Sequence, residues 1–536
     1  MEIVKQIIQK DLWEALTLEG LPSVDDLLSQ PTQLELADFT SNIAFKVARE
    51  LKKSPQEVAL RLASALKEKY KNSEQLPYEV EAVAGYINFK VVDEARLAWI
   101  SELLEGGAAA KIEKITEPKK ILLEFISANP TGPLTLANGR AGFFGDALAN
   151  LWEVFGHKVH REYYVNDAGN QIKILGQSAK AFLGLIKAEE GHYKGEYIGD
   201  LAKKFKEQAN LEDEEFGQVL AGYLLEQEIK PVINKTMGVK INSWISEFKD
   251  IRTSGKLEIV LDKLKKSGQT FEEGGALWLK TTNFGDDKDR VLIKADGEMT
   301  YFLIDIAYHL YKLDRGFNKL VTVLGADHFG YTVRLGASLE VLGYPKTILE
   351  IIILQLIRLQ QDGQEVKMSK RSGNFVLMTE ALQSVPVDLL RFYLLSFSPT
   401  SQVEINLDLL GQNNQDNPVY LVQYAHARIA SILEKIEGLA VEKNSGKFSN
   451  EGLILFRQAY YFFEVIKQAS LTNQPHLIAN AVLAIAASFH KFYEHERVLD
   501  SGVVVATRLS LVKATKEVIN FGLTILGITA PEKMIK

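Results

Sequence analysis

Three cations stand among small residues in the segment VKMSKRSGN, residues 366–374. Lysine ammonium groups on flexible stems can follow charge as it moves onto a departing pyrophosphate. Lys367 and Lys370 are therefore candidates for stabilising a polyphosphate. Basic triplets are also common on solvated surfaces, so a plain basic turn remains the alternative reading.

The residues before this segment predict the element that must carry it. Residues 348–359, ILEIIILQLIRL, form a near-continuous apolar run that ends before Asp362-Gly363. Such a run is typical of a strand covered on both faces. A basic loop directly after a buried strand is well placed to face a ligand at the edge of a sheet.

A second candidate segment lies upstream, at residues 121–140, ILLEFISANPTGPLTLANGR. An apolar strand over 121–126 runs into a turn rich in proline and glycine, and a helix is predicted from about Asn138 to Phe155. Residues 158–165 then read as a strand, which completes a βαβ unit. Open α/β sheets bind nucleotides at such a turn, because helix N-terminal amides favour phosphate. An ordinary strand-turn-helix connection is the alternative.

These two segments together resemble a class I aminoacyl-tRNA synthetase, and within that class the arginyl-tRNA synthetase family. KMSKRSGN, residues 367–374, matches the KMSKS-type loop of the family. The resemblance runs from LADFTSNIAF at 36–45 to APEKM at 530–534. It also includes REYYVNDAGNQI at 161–172, YKGEYI at 193–198, the segment GALWLKTTNFGDDKDRVLIKADGEMTYFLIDIAYHL at 275–310, GADHFGY at 325–331 and NPVYLVQYAHARI at 417–429.

The nucleotide loop departs from the family pattern. The family usually reads SANPTGPLHVGHGR, whereas this chain reads SANPTGPLTLANGR, so that Thr135 and Asn138 replace two histidines and Ala137 replaces a glycine. The family's imidazoles donate hydrogen bonds to ATP phosphates. Threonine hydroxyl and asparagine amide are also donors, so neutral hydrogen bonding is expected to survive while any imidazolium charge is lost.

The resemblance implies a set of catalytic and ATP-binding residues. Lys367, Lys370, Thr135 and Asn138 are expected to be catalytic. The expected ATP-binding residues are Pro130, Gly132, Thr135, Ala137, Asn138, Asp327, His328, Met368, Ser369 and Lys370. The turn with Asp327 and His328 follows a predicted strand at 320–324, and the family places it against adenosine or the substrate side chain. His328 could equally cap the next helix.

An arginine pocket is expected from charge placement and from the resemblance. Tyr301 and Asp305 stand four residues apart in a helical pattern and so share one face, and Glu124 lies near the end of the first strand. Two carboxylates can grip both edges of a guanidinium. The family positions that bind arginine match Glu124, Asn129, Tyr301 and Asp305, with Asn129 at the backbone end. A surface carboxylate and a strand-end ion pair are the alternatives.

The chain is expected to form three regions: an additional N-terminal tRNA-contacting domain at 1–105, a catalytic domain at 111–385 with a helical insertion at about 171–239, and a helical anticodon-binding domain at 386–536. The fold class is an α/β doubly wound, Rossmann-like class I synthetase domain. A small α+β N-terminal domain and an all-α C-terminal bundle complete it.

Contacts with tRNA are expected in both outer regions. Tyr86 and Asn88 are the N-terminal candidates, and a packed strand is the alternative for them. In the C-terminal bundle the candidates are Gln423, Tyr424, His426 and Arg428. Tyr424 could instead be a core residue.

Composition restricts the partners. The chain has 536 residues, a net charge of -7 and no cysteine. Disulfides and thiolate zinc sites are therefore excluded. No signal peptide or uninterrupted apolar span is predicted, so we expect a cytoplasmic protein without a membrane partner. With a negative net charge, tRNA must be met by local basic patches. A monomer is expected.

The expected function is that of an arginine–tRNA ligase. It would use ATP with Mg²⁺ to form arginyl-adenylate from L-arginine, and then transfer the arginyl group to the 3′ end of tRNA(Arg). Members of this family commonly require bound tRNA for activation. A catalytically inactive synthetase-like protein that binds tRNA or arginine is the alternative. A glutamyl or cysteinyl enzyme is disfavoured, because the chain has no cysteine for zinc.

Overall fold

The fold is given by a computed structural model. It describes residues 1–20, 27–71, 77–326, 330–361, 364–366, 376–406, 417–442 and 447–534. Lys367, Met368, Ser369, Lys370, Asp327 and His328, all predicted site residues, lie outside the described residues.

Helices and strands alternate through the middle of the chain, and helices dominate its end. The helices are α1 (Glu2–Leu18), α2 (Ile43–Leu51), α3 (Pro55–Lys69), α4 (Asp93–Gly106), α5 (Leu136–Val154), α6 (Asn170–Phe182), α7 (Glu196–Lys204), α8 (Asp213–Leu224), α9 (Lys256–Lys266), α10 (Tyr301–Asp314), α11 (Tyr331–Val341), α12 (Met378–Ser384), α13 (Val387–Leu395), α14 (Pro418–Ile436), α15 (Asn450–Thr472), α16 (His476–His495) and α17 (Ala506–Leu526). The strands are β1 (Phe39–Ser41), β2 (Tyr78–Val83), β3 (Tyr86–Val91), β4 (Lys120–Glu124), β5 (Lys158–Val165), β6 (Ser243–Ser246), β7 (Thr270–Glu273), β8 (Ala276–Leu279), β9 (Arg290–Ile293), β10 (Lys319–Gly325), β11 (Leu349–Leu354), β12 (Ile357–Gln361), β13 (Gln364–Val366), β14 (Val403–Asn406), β15 (Val441–Glu442), β16 (Leu499–Asp500) and β17 (Val503–Val505).

A parallel sheet organises the middle of the chain. Its strand order is β11-β10-β4-β5-β6, with β4 at the centre. The pairings β4–β5 and β4–β10 are both parallel, so the strands on either side of the centre share their carboxyl-end edge. This order confirms the predicted doubly wound α/β fold. Ligands in such folds bind outside the carboxyl ends of the strands, where the connections diverge.

The apolar run at 348–359 is not one strand, which corrects the prediction. It forms β11 in the parallel sheet and then β12, which pairs with β13 and β14 in a separate sheet. The chain turns at Gln355, whose N–H donates to the carbonyl of Pro399 at 2.9 Å, and Leu356 is 59% exposed. Hydropathy alone did not reveal the break, because the residues on both sides of it are apolar.

The N-terminal region is a small α+β unit, as predicted. Strands β1, β3 and β2 form an antiparallel sheet against α2 and α3. Helix α3 begins where Ser54 accepts the N–H of Glu57 and Pro55 occupies the first turn, a favourable helix start. The carboxylate of Asp38 binds the buried guanidinium groups of Arg96 and Arg457, and so joins this region to α15.

The C-terminal region is a helical bundle of α14 to α17, as predicted, accompanied by a small sheet of β15, β17 and β16. Helix α14 begins with Asn417 as its cap and Pro418 in the first turn. Helices α15 and α16 contact each other along their length and α17 contacts both, so their apolar stripes form a common core. Among the described residues, no helix has the length and apolar character needed to span a bilayer.

Two helices of the insertion meet almost backbone to backbone. A Cβ added at Gly217 on α8 would lie 1.9 Å from the carbonyl oxygen of Ile172 on α6. A Cβ at Gly176 on α6 would lie 2.0 Å from the carbonyl oxygen of Asp213. Both contacts are with backbone, so neither can be relieved by rotating a side chain.

We predict that Gly217→Ala destabilises the insertion, because the helices must separate to admit the methyl group. The cost should be roughly 1–3 kcal/mol or more, as for other overpacked sites. Gly222→Ala on the same helix is the matched control, since a Cβ there meets nothing within 4 Å. It should stabilise the protein by up to about 1 kcal/mol. Urea unfolding of both variants checks this, and equal midpoints would contradict the close helix contact.

Candidate active site

A cavity of about 730 Å³ opens at the carboxyl ends of β4 and β10, between α5 and α10. It brings together seven of the residues that the sequence singled out. Glu124, Asn129, Thr135, Ala137, Asn138, Tyr301 and Asp305 all line it. Pro130 and Gly132 belong to the same loop but are not among its lining residues.

The loop between β4 and α5 is held in a strained conformation. Ile126 has φ 69° and Ser127 has φ 37°, values that cost residues with side chains about 1–3 kcal/mol each. Two tyrosine hydroxyls hold the loop by donating to its carbonyls: Tyr163 to Ala128 at 2.6 Å and Tyr197 to Thr131 at 3.0 Å. The loop is therefore fixed in place before any ligand arrives.

Thr135 and Asn138 bind each other at the start of α5. The Oδ1 atom of Asn138 accepts both the backbone N–H of Thr135, at 3.0 Å, and its hydroxyl, at 2.9 Å. The Thr135 hydroxyl thus donates to Asn138 in this structure, and a hydrogen bond from it to a phosphate would have to replace that contact. The Nδ2 group of Asn138 has no hydrogen-bond partner within the described ranges and remains a donor beside the helix N-terminus.

The chain from residue 376 onward, after the basic segment, adjoins the start of α5. Leu136 N–H donates to the carbonyl of Val376 at 3.2 Å, and Met378 N–H donates to Leu134 at 2.9 Å. A Cβ at Gly139 would lie 2.5 Å from the Met378 sulfur, so glycine permits this contact. Residues 376–378, which follow the basic segment directly in the chain, therefore lie against the start of α5.

Arg140 brings a positive charge to the same wall. Its guanidinium is buried and donates to the carbonyls of Gln355 at 2.5 Å, Ser398 at 2.9 Å and Ser401 at 3.0 Å. No carboxylate of the described chain lies within ion-pair distance of it, and burial lowers the Arg140 pKa to about 10. It connects α5 to the turn before β12 and to the segment before β14.

Glu124 is already paired inside the protein. Its Oε2 lies 2.5 Å from Nζ of Lys312, which is fully buried, and its Oε1 accepts the Ser127 hydroxyl at 2.9 Å. The carboxylate at the end of β4 thus takes part in a buried ion pair, which the sequence analysis gave as the alternative for Glu124. Its charge is neutralised, although both oxygens retain lone pairs that can accept further hydrogen bonds.

A third carboxylate, Glu247, enters the cavity from a π-helical turn, Glu247–Arg252. Its Oε1 lies 2.6 Å from the Arg252 guanidinium, and its Oε2 accepts the Tyr164 hydroxyl at 2.9 Å. Burial nevertheless raises the Glu247 pKa. The π-turn brings residues five apart onto one side, which makes this pair possible.

Asp305 is the carboxylate of this cavity that has no ion-pair partner among the described residues. Burial raises its pKa well above the usual range, and the charges of Glu247 and Glu124 raise it further, while Lys312 and Arg334 act in the opposite direction. A cation bound against it would restore its ionised form. Asp305 is therefore the place in this cavity where a bound cation would meet a carboxylate that no protein cation pairs with in the described chain.

Sequence reasoning missed several lining residues. Glu247, Tyr164, Tyr308 and His309 all face the cavity. Tyr308 and His309 stand in the same helical stripe as Tyr301 and Asp305, and continuing that stripe would have found them. Glu247 gave no signal, because a π-turn has no recognisable pattern in a single sequence.

In the N-terminal region, Tyr86 is 42% exposed and its ring lies 4.9 Å from that of Phe45, which is equally exposed. The pair offers an aromatic surface. The structure corrects the prediction for Asn88: its side chain is buried and accepts the Thr40 hydroxyl at 2.8 Å, so it packs inside β3.

In the C-terminal bundle, Tyr424 is 37% exposed and stacks with Tyr420 and His490 at 5.8 Å and 5.7 Å. Arg428 lies over the ring of Tyr493 at 5.2 Å. These groups present rings and a cation near one surface.

Two further candidates in the bundle are engaged internally. The Gln423 amide donates to Asp388 and Thr529. His426 is buried, with Nδ1 2.9 Å from the carbonyl of Pro531, and this corrects its interpretation as a base-reading residue.

No group of three or more histidine, aspartate or glutamate side chains could hold a metal ion within the ranges that the structure describes. Two carboxylates of the cavity, Glu124 and Glu247, pair with protein cations. The third, Asp305, faces a space that suits an organic cation with several N–H donors.

Three family profiles match the chain in succession. They are described as "Arginyl tRNA synthetase N terminal domain" over residues 2–91, "tRNA synthetases class I (R), catalytic domain" over 100–386 and "DALR anticodon binding domain" over 422–534. The catalytic profile alone spans more than half of the chain.

Individual proteins similar to this chain carry names of the same family. An Arginine--tRNA ligase of Aquifex aeolicus is 35% identical over 99% of this chain and 100% of its own length. One of Listeria welshimeri is 39% identical over 96% of each. A solved structure, a putative arginyl tRNA synthetase of Campylobacter jejuni, has 32% identity and a TM-score of 0.71, and covers 83% of this chain and all of its own. The Thermus thermophilus arginyl-tRNA synthetase, at 22% identity and TM-score 0.71 over 99% of this chain and 100% of that one, shares the fold.

Proposed function

The chain belongs to the arginyl-tRNA synthetase family, and from this membership we propose how its own residues carry out the ligase reaction. The function is that of an arginine–tRNA ligase, which uses ATP to activate arginine and charges tRNA with it. Nothing in the comparisons favours the inactive alternative. The residue assignments rest on one observation. Asp305, which has no ion-pair partner among the described residues, lines the same cavity as the residues at the start of α5.

Arginine enters with its guanidinium against Asp305. A guanidinium can meet one carboxylate with two parallel hydrogen bonds, a geometry that an ammonium cannot reproduce. Glu124 and Glu247, both already paired with cations, serve as acceptors rather than as counter-charges. Asn129 and Tyr301 complete the site nearer its mouth, where Tyr301 is 53% exposed. Asn129 is steered by Gln171, whose amide oxygen accepts its Nδ2 hydrogen at 2.5 Å.

ATP lies along the start of α5, beside Ala137 on that helix and the loop with Pro130 and Gly132. The arginine carboxylate attacks the α-phosphate, forming arginyl-adenylate and releasing pyrophosphate. Asn138 Nδ2 and the helix N-terminus support the phosphates, and the Arg140 charge lies in the same wall. We assign Lys367 and Lys370 to the departing pyrophosphate, and Asp327, His328, Met368 and Ser369 to the nucleotide. Mg²⁺ arrives with ATP.

In the second step a terminal ribose hydroxyl of tRNA(Arg) attacks the carbonyl carbon of arginyl-adenylate, so that an ester to the ribose forms, the bond to the phosphate oxygen breaks and AMP leaves. Regions 1–105 and 386–536 bind the tRNA on either side of the catalytic region, 111–385. Tyr86 with Phe45, and Tyr424 with Arg428, are the assigned contacts, because exposed rings can stack on unpaired bases. Gln423 is assigned a supporting place beside Tyr424. The protein acts as a cytoplasmic monomer.

Because burial raises the Asp305 pKa, we predict that KM for arginine falls as pH rises. A cation binds the ionised carboxylate, so affinity improves until Asp305 is ionised in the free enzyme. Asp305→Asn should weaken arginine binding by roughly 2–5 kcal/mol and flatten this dependence.

Steady-state charging of tRNA across pH measures both effects. Asp314→Asn, at an exposed position at the end of α10, is the matched control and should behave as wild type. A normal KM in Asp305→Asn would move the arginine pocket elsewhere.

Asn138→Asp tests the phosphate donor. The substitution keeps the oxygen that accepts from Thr135 but removes Nδ2 and adds a negative charge. The rate of arginyl-adenylate formation, measured with tRNA present, should fall by a hundredfold or more, in the range seen when one transition-state donor is removed. Thr135→Val should cost far less, because the Thr135 hydroxyl proton is used inside the protein.

Binding of tRNA should stay unchanged in both variants. Equal losses in the two variants would contradict the assignment of the phosphate contact to Asn138 alone.

A further inference from the structure

Three residues that line the cavity each carry a buried polar atom with no hydrogen-bond partner among the residues that the structure describes. The atoms are Nε2 of His309, Oγ1 of Thr322 and Oη of Tyr331. Buried polar atoms in folded proteins are nearly always hydrogen-bonded. Several unpaired atoms around one space therefore indicate a ligand with several polar atoms of its own.

The imidazole of His309 presents an acceptor to this space. Its Nδ1 lies 2.8 Å from the backbone carbonyl of Asp305, which can only accept, so Nδ1 carries the hydrogen. Burial and the charge of Lys312 lower the His309 pKa well below its usual range, so the ring is neutral. Nε2 then carries a lone pair and no hydrogen. Whatever binds there must donate.

The position of His309 relates this acceptor to Asp305. The two residues stand one helical turn apart on α10, on the face that also carries Tyr301 and Lys312. Exposure falls along this stripe, from 53% at Tyr301 to 4% at His309 and 0% at Lys312. His309 therefore lies deeper than the opening of the cavity, beyond the carboxylate that holds the cation.

A guanidinium has more N–H groups than one carboxylate can accept. When one edge pairs with Asp305, the other N–H groups point away from that carboxylate, and any of them that Glu124 and Glu247 do not accept needs a further acceptor. We propose that Nε2 of His309 accepts a terminal N–H of the substrate guanidinium and thereby determines specificity, with Thr322 Oγ1 as a neighbouring acceptor. This inference rests on the arginine pocket proposed above.

Nω-methyl-L-arginine provides the test, because its methyl group replaces one terminal N–H. In wild type, its inhibition constant against arginine in tRNA charging should exceed the KM for arginine at least tenfold. His309→Ala should raise the KM for arginine by about tenfold or more, the loss expected for a hydrogen bond to a charged group. The same variant should bring the ratio of the two constants close to one, because the methyl group gains space.

Several results would overturn the proposal. A structural disturbance would weaken both ligands equally and leave the ratio unchanged. A raised KM for ATP with normal arginine kinetics would assign His309 to the nucleotide. If His309→Ala does not fold, the wild-type ratio and His309→Gln decide, since glutamine keeps an acceptor and should retain arginine KM within a few-fold. A wild-type ratio near one, or a large loss in His309→Gln, contradicts the inference.

His476→Phe is the matched control. His476 on α16 also has a buried ring nitrogen without a partner, Nδ1, but it does not line the cavity, so arginine kinetics should not change. Asp305→Asn separates this inference from the pocket itself. If Asp305→Asn weakens arginine and the His309 variants keep the wild-type ratio, only the inference fails. If Asp305→Asn is normal, the pocket assignment fails with it.

Discussion

The structure of the catalytic region depends on how three carboxylates share one cavity. Ionised carboxylates are costly to bury unless each meets a cation or several donors. Glu124 meets Lys312 and Glu247 meets Arg252, whereas Asp305 meets no cation within ion-pair distance in the described chain. This unpaired carboxylate is the physical basis that we propose for the recognition of a cationic amino acid.

The surrounding elements hold this arrangement in place. Strand β4 ends at Glu124, and the strained turn that follows uses Ser127 to orient that carboxylate. Helix α5 carries at its start the residues that we propose to face the phosphates, and further along its Asp146 pairs with Arg391. Arg391 also donates to the carbonyl of Leu526 at 2.6 Å, at the end of α17. The nucleotide wall and the C-terminal bundle are thus joined through buried polar contacts.

The sequence predicted the fold class and the position of the cavity, and local pattern explains why. The apolar strand, the proline-glycine turn and the following helix define a βαβ unit wherever they occur, so Thr135, Asn138 and Glu124 could be located before the structure was known. The ion-pair and hydrogen-bond partners of each group could not be predicted in this way. That Glu124 is paired with Lys312, 188 residues away, depends on tertiary packing, and that the Thr135 hydroxyl donates a hydrogen bond to Asn138 depends on side-chain rotamers that the sequence does not reveal. The break at Gln355 was hidden because both strands are apolar.

Binding of L-citrulline, compared with that of L-arginine, tests the central claim most directly. Citrulline has nearly the size and shape of arginine but no charge, so it fills the cavity without supplying a cation. Titration calorimetry of the full-length protein should show arginine binding on the order of a hundredfold or more tighter than citrulline, in keeping with the value of a desolvated charge pair. Comparable affinities for the two ligands would contradict recognition through the unpaired charge of Asp305.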